Sequence, residues 1–182
     1  MYTKLAAAAV LSSALMLGLT ACGTSGAPSG GPAPATSDAA TTPAPTKTAA
    51  SQNAKFGETY KWSDGLAVTI SAPQPFTPSQ YAAGVTAGQQ NLIFTITINN
   101  GTTQNVDAGL SQMTLTSGGT AASSITEIGG PQGDVTGLGP QTPVLPGQSV
   151  SWKAAFSVAN PADLTSQFSI TDFNHKPAIF TS

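Results

Sequence analysis

From Phe56 onward apolar side chains recur at every second position, and this alternation constrains the chain more than any other feature. Across residues 91–99, Leu92, Phe94, Ile96 and Ile98 fall on one side of an extended backbone, with Ile93, Thr95 and Thr97 on the other. Successive strand side chains point to opposite faces, so this segment reads as a strand with one face in a core. Residues 150–158 repeat the pattern, with Val150, Trp152, Ala154, Phe156 and Val158 inward. Tyr60 and Trp62 share one face of a shorter strand, and Leu66, Val68 and Ile70 share another. Ser63-Asp64-Gly65 between those two is a turn signal and predicts a hairpin. Residues 113–116, 168–171 and 178–181 add three strands, and 123–128 is expected to pair back on 113–116 across Gly118-Gly119. The one helical turn predicted is 161–164, with Asn160 as its cap and Pro161 in the first position.

About seven to nine short strands separated by turns predict a two-sheet antiparallel sandwich, with a closed barrel as the alternative. Both tryptophans sit on apolar strand faces and are expected in the core. With one cysteine among 182 residues, no internal disulfide is available and packing must hold that core. Two long segments, 72–90 and 129–147, read as irregular crossovers between sheets. They are also where a rigid sandwich would carry binding residues.

The cysteine itself has a different setting. Residues 5–19 are apolar and uncharged, and as a helix would reach roughly 22 Å, short of the ~30 Å hydrocarbon core. That length suits a signal peptide rather than a membrane span. Ordinary cleavage favours small residues at −1 and −3, but Leu19 occupies −3 before Ala21. Leu19-Thr20-Ala21-Cys22 instead resembles the bacterial lipobox, which implies that Cys22 is acylated and becomes the new N-terminus. Two or more acyl chains, palmitate among them, give stable membrane anchoring. Residues 22–54 follow as a Gly/Ala/Ser/Thr/Pro tract with too little apolar surface to offset ordering. The expected organisation is therefore a lipoprotein signal peptide at 1–21, lipidated Cys22 with a disordered linker through 54, and a β-sandwich domain at 55–182.

A family resemblance supports this reading. Asp64-Gly65-Leu66-Ala67-Val68-Thr69-Ile70, Phe94-Thr95-Ile96-Thr97-Ile98-Asn99-Asn100-Gly101 and Leu145-Pro146-Gly147-Gln148-Ser149 carry it, together with Ala155-Phe156-Ser157-Val158. They resemble an immunoglobulin-like domain of unknown function found on bacterial lipoproteins, similar in fold to small secreted immunogenic antigens. The resemblance implies an immunoglobulin-like β-sandwich on the outer face of a cell membrane. It brings no catalytic residues with it.

Composition narrows the partners. Charged residues make up 8% of the chain, against roughly 25% in an average protein. All 6 basic residues are lysines, and the formal net charge is −2. Such a surface does not supply the phosphate contacts that nucleic acid requires. His175 is the single histidine, and Asp172 three residues earlier is the one acid placed to orient it. No serine stands in a Gly-x-Ser-x-Gly elbow, so His175 is expected to be a solvated loop residue. Zinc needs more His or Cys than the domain offers. Asp64, Asp107, Asp134, Asp163 and Asp172 lack calcium-loop spacing and read as turn starters. No cofactor, metal or catalytic residue is therefore assigned. The expectation is a membrane-anchored, non-enzymatic binding module, with a protein or envelope polysaccharide as partner. The alternatives are an envelope-polymer hydrolase using carboxylates such as Glu58 and Glu127, and a ligand-free structural or antigenic protein.

Overall fold

The computed structural model describes residues 53–182 except Phe173, so Cys22, the signal segment and most of the linker lie outside the described residues. The strands in chain order are β1 (Asn53–Lys55), β2 (Thr59–Lys61), β3 (Leu66–Ile70), β4 (Gln74–Pro75), β5 (Gln90–Asn100), β6 (Ser111–Ser117) and β7 (Thr120–Ala121). They continue as β8 (Ser123–Ile125), β9 (Glu127–Gly130), β10 (Gly133–Val135), β11 (Ser149–Val158), β12 (Leu164–Ile170) and β13 (Ala178–Thr181). One sheet runs β1-β13-β12-β6-β7 and the other β2-β3-β5-β11-β8, with β4 added along β5. Pairing is antiparallel throughout except at β1, which lies parallel to β13.

The alternating segments supply the core as their parity requires. Leu66, Val68, Ile70, Phe94, Ile96, Ile98, Phe168 and Phe180 are fully enclosed between the sheets. Each such side chain contributes about 1.5–3 kcal/mol of transfer free energy. Phe56 bridges the layers, with its ring 5.3 Å from Phe94 and 6.3 Å from Phe180. Trp62 is buried as expected, whereas Trp152 is half-buried at the core edge, 6.3 Å from Phe168.

Two local expectations are corrected. Residues 123–128 do not pair back on β6. Only β7 does, after which the chain crosses sheets and β8 pairs with β11 through Ala155↔Ile125. The 161–164 segment is a turn, not a helix. Asn160 Oδ1 accepts from the Ala162 N–H at 3.1 Å as a cap would, but Gly118 N–H draws the Asp163 carbonyl into the ladder. Leu164 then enters the core opposite Ser117, which stops any further helical turn. The short helix that does form is a 3₁₀ turn at Ala108–Leu110, capped by Asp107.

The two long crossovers meet, but over a sheet face. Phe76 from the first and Val135 from the second close on Ile125 and Ala155, with Ala82 and Ile93 at the margin. Ile93 and Ala155 are cross-strand partners on β5 and β11, turned away from the main core. A second small core therefore covers the outer face of that sheet, and the second crossover is partly ordered as the β9–β10 hairpin.

Candidate functional site

A cleft of about 550 Å³ lies at one end of the sandwich. Its walls are the Asp64 turn, the 102–107 segment with Leu110, and the β12–β13 loop carrying Asp172, Asn174 and His175. Each wall is built by a short polar motif.

The Asp64 turn is a tight hairpin in which Trp62 N–H donates to the Leu66 carbonyl at 2.8 Å. Asp64 Oδ1 accepts from the Leu66 N–H at 3.1 Å, leaving Oδ2 directed out of the turn. Gly65 has φ 107°, which L side chains rarely adopt, and its carbonyl rests on Gly101. A Cβ at Gly101 would stand 2.5 Å from that oxygen, so the two turns touch backbone to backbone.

The 102–107 segment hangs from Asn100, whose side chain is wholly buried at the end of β5. Its Nδ2 donates to the carbonyls of Gln104 at 2.7 Å and Val144 at 2.8 Å. Its Oδ1 accepts from the Thr102 N–H at 3.0 Å and the Thr102 hydroxyl at 2.8 Å. One amide thus satisfies both a loop and the crossover behind it, as a buried polar group must.

In the β12–β13 loop, Asp172 Oδ1 accepts from the N–H groups of Asn174 and His175 at 3.0 and 3.1 Å. Its Oδ2 bonds His175 Nδ1, while His175 Nε2 meets Asp64 Oδ2 at 2.9 Å. The imidazole is 12% exposed and rests edge-on against Trp62, with ring centroids 5.2 Å apart. The Trp62 indole N–H donates to the Lys176 carbonyl at 2.9 Å, a second tie to the same loop. His175 is therefore not the solvated loop residue that its polar neighbours suggest. It is held between two carboxylates from opposite sheets.

This geometry sets the charges. Burial, the largest single influence, acts to lower the His175 pKa. Its hydrogen bonds to Asp64 and Asp172, and then their charges, outweigh burial and raise it above the ordinary 6.5. For Asp64 and Asp172 burial likewise leads and pushes upward. Hydrogen bonds from His175 and from backbone N–H groups prevail, so both carboxyls lie below the ordinary 3.8. With both ring nitrogens facing carboxylate oxygens, the geometry and these directions favour an imidazolium between two carboxylates.

Such an arrangement does not act as a Ser-His-Asp triad, because the nitrogen that would face a nucleophile faces Asp64. It also lacks the carboxyl held protonated that acid-catalysed glycoside cleavage needs. Glu58 and Glu127, the carboxylates raised by the sequence for that chemistry, serve separate backbone contacts. Glu58 accepts from Lys55 N–H at 2.9 Å and Glu127 from Ser79 N–H at 3.1 Å. Asp107 caps the 3₁₀ turn and Asp134 accepts from Gly129 N–H, in keeping with their reading as turn residues. Among the described residues no group of three or more His, Cys, Asp or Glu is arranged to hold a metal ion.

Asp64 as a partner of His175 escaped sequence reasoning. The Asx turns at Asp64 and Asp172 were visible as local signals, but the approach of His175 to Asp64 across 111 positions was not.

No known protein family matches the sequence, and no curated protein is similar to it. Solved structures are similar in fold. The yjhA protein of Bacillus subtilis superposes with a TM-score of 0.53 at 12% identity, over 70% of this chain and 97% of that one. The candidate lipoprotein ycdA, also from Bacillus subtilis, gives 0.51 at 18% identity over 71% of this chain. The match spans 38% of ycdA. A secreted protein from Mycobacterium tuberculosis gives 0.49 at 18% identity, over 71% of this chain and 96% of that one. The two Bacillus likenesses agree with a β-sandwich architecture and bear on the fold alone.

Proposed function

We propose that this chain is a lipid-anchored, extracytoplasmic β-sandwich that binds a protein or polysaccharide of the cell envelope without chemistry of its own. The observation that carries the reading is the setting of the single cysteine. Cys22 ends Leu19-Thr20-Ala21-Cys22, after an uncharged apolar segment too short to span a bilayer and before a charge-poor tract. Acylation there would hold the sandwich at the membrane surface, where the end cleft is the place for a ligand to enter. The fold likeness to a candidate lipoprotein is compatible with that location.

Anchoring is tested by palmitate labelling and fractionation of cells making the wild type or Cys22→Ser. The wild type is expected in the membrane fraction with label and without residues 1–21, and Cys22→Ser unlabelled and, since Leu19 disfavours ordinary cleavage, at the mass of the uncleaved chain. An unmodified Cys22 in the membrane fraction would refute the anchor. Binding is tested by capture from solubilised envelope with the wild type and with Asp172→Ala. A component retained by the first and lost with the second supports the cleft, and no retained component overturns a binding role.

A further inference from the structure

We propose that Asp64, His175 and Asp172 form a proton-operated latch, which ties the two sheets together at the end cleft and slackens when the imidazolium is neutralised. Asp64 stands on the β2–β3 turn of one sheet, and His175 and Asp172 on the β12–β13 loop of the other. Both imidazole nitrogens face carboxylate oxygens, and both carboxylates are acceptors only when ionised. The cluster is satisfied only with two N–H donors on the ring. A neutral imidazole has one, so its other nitrogen would present a lone pair to a carboxylate.

The geometry also selects which bond is lost. Asp172 is three positions from His175 and is fixed by the Asn174 and His175 N–H groups, so its bond to Nδ1 is local and persists. The Nε2–Asp64 contact closes a separation of 111 positions and is 44% exposed on the Asp64 side. Deprotonation therefore leaves the Nδ1–H tautomer on Asp172 and releases Asp64. The Trp62 indole bond to the Lys176 carbonyl remains, so the sheets stay joined while the turn gains freedom.

The other charged groups around the ring do not replace the lost donor. Lys176 follows on the same loop and is exposed. Asp107 lines the same cleft as a further carboxylate, with one oxygen accepting from Gly109 N–H. The upward displacement of the His175 pKa and the downward displacement of both Asp values have the signs that the latch requires. Nothing in the latch depends on what the cleft binds.

The test uses the full chain carrying Cys22→Ser, in which the single histidine makes the ring signals unambiguous. NMR titration is expected to give a His175 midpoint above 6.5 and the Nδ1–H tautomer on its alkaline side. Hydrogen-exchange protection factors at residues 63–66, corrected for the intrinsic pH dependence, should fall about tenfold across that midpoint. Asp64→Asn keeps the Leu66 contact through its side-chain oxygen. It should lower the midpoint and remove the pH step in protection. A wild-type midpoint at or below 6.5, or protection at 63–66 that does not change across it, overturns the latch. So does an unchanged step in Asp64→Asn. If that variant does not fold, the two wild-type measurements decide alone.

Discussion

Asn100→Ala removes the amide on which the end of the sandwich hangs. The side chain makes four hydrogen bonds: two donated to the carbonyls of Gln104 and Val144, and two accepted from the N–H and hydroxyl of Thr102. Net values of about 0.5–1.5 kcal/mol per bond bracket the loss at roughly 2–6 kcal/mol. The structure places it in the lower half of that range. Val144 O still accepts from Val106 N–H, and the single Thr102 hydroxyl proton, no longer claimed by Asn100 Oδ1, turns to Gln104 O, so neither carbonyl is stranded. The Asn100 backbone also keeps its bonds to Gln148 and Gly147. A loss of about 3 kcal/mol follows, equivalent to roughly 10 °C in Tm for a domain of this size.

Urea denaturation followed by tryptophan fluorescence reads this as a lower midpoint with an unchanged m-value. Asn100→Asp sharpens the test, because it sets a carboxylate oxygen against the Gln104 and Val144 carbonyls. Its loss should exceed that of the alanine variant near neutral pH and shrink as the carboxyl is protonated. A loss below about 1 kcal/mol for Asn100→Ala would refute the reasoning, as would an aspartate variant as stable as the wild type.

The His175 cluster predicts a stability plateau in pH. With the folded His175 pKa raised, its contribution is complete below the ordinary 6.5 and disappears as pH rises through the folded value. With Asp64 and Asp172 lowered, theirs is complete above the ordinary 3.8 and disappears as pH falls through their folded values. Urea midpoints against pH should trace both arms, and His175→Gln should flatten the alkaline one. Gly101→Ala should cost about 1–3 kcal/mol through collision with the Gly65 carbonyl, measured as a drop in Tm. Gly119→Ala, where a Cβ meets open space, should cost only about 1 kcal/mol from its φ of 75°. Phe76→Ala should cost up to about 3 kcal/mol and open the 72–90 segment to limited proteolysis, while the sandwich between the sheets remains intact.

Parity along each strand is a local property, and the sequence by itself determined what depends on it. The alternation at 91–99 and 150–158 places Phe94, Ile96, Ile98, Ala154, Phe156 and Val158 in the core, and Ser63-Asp64-Gly65 closes a hairpin where its turn chemistry demands one. The same parity assigned Ile93 to the outer face but did not say what covers that face. Phe76, Val135 and Ile125 arrive there from three separate segments, and such arrivals leave no periodic mark. Asn160 and Pro161 carry a good helix start, yet the ladder between β6 and β12 overrode it within one turn, because pairing and burial of Leu164 outweigh a local cap. His175 is the clearest division between the two levels. Its neighbours Asn174 and Lys176 are polar and exposed, so local chemistry reads it as solvated. Only the packing of two sheets brings Asp64 to its second nitrogen and Trp62 to its edge, turning a loop histidine into a charged tie.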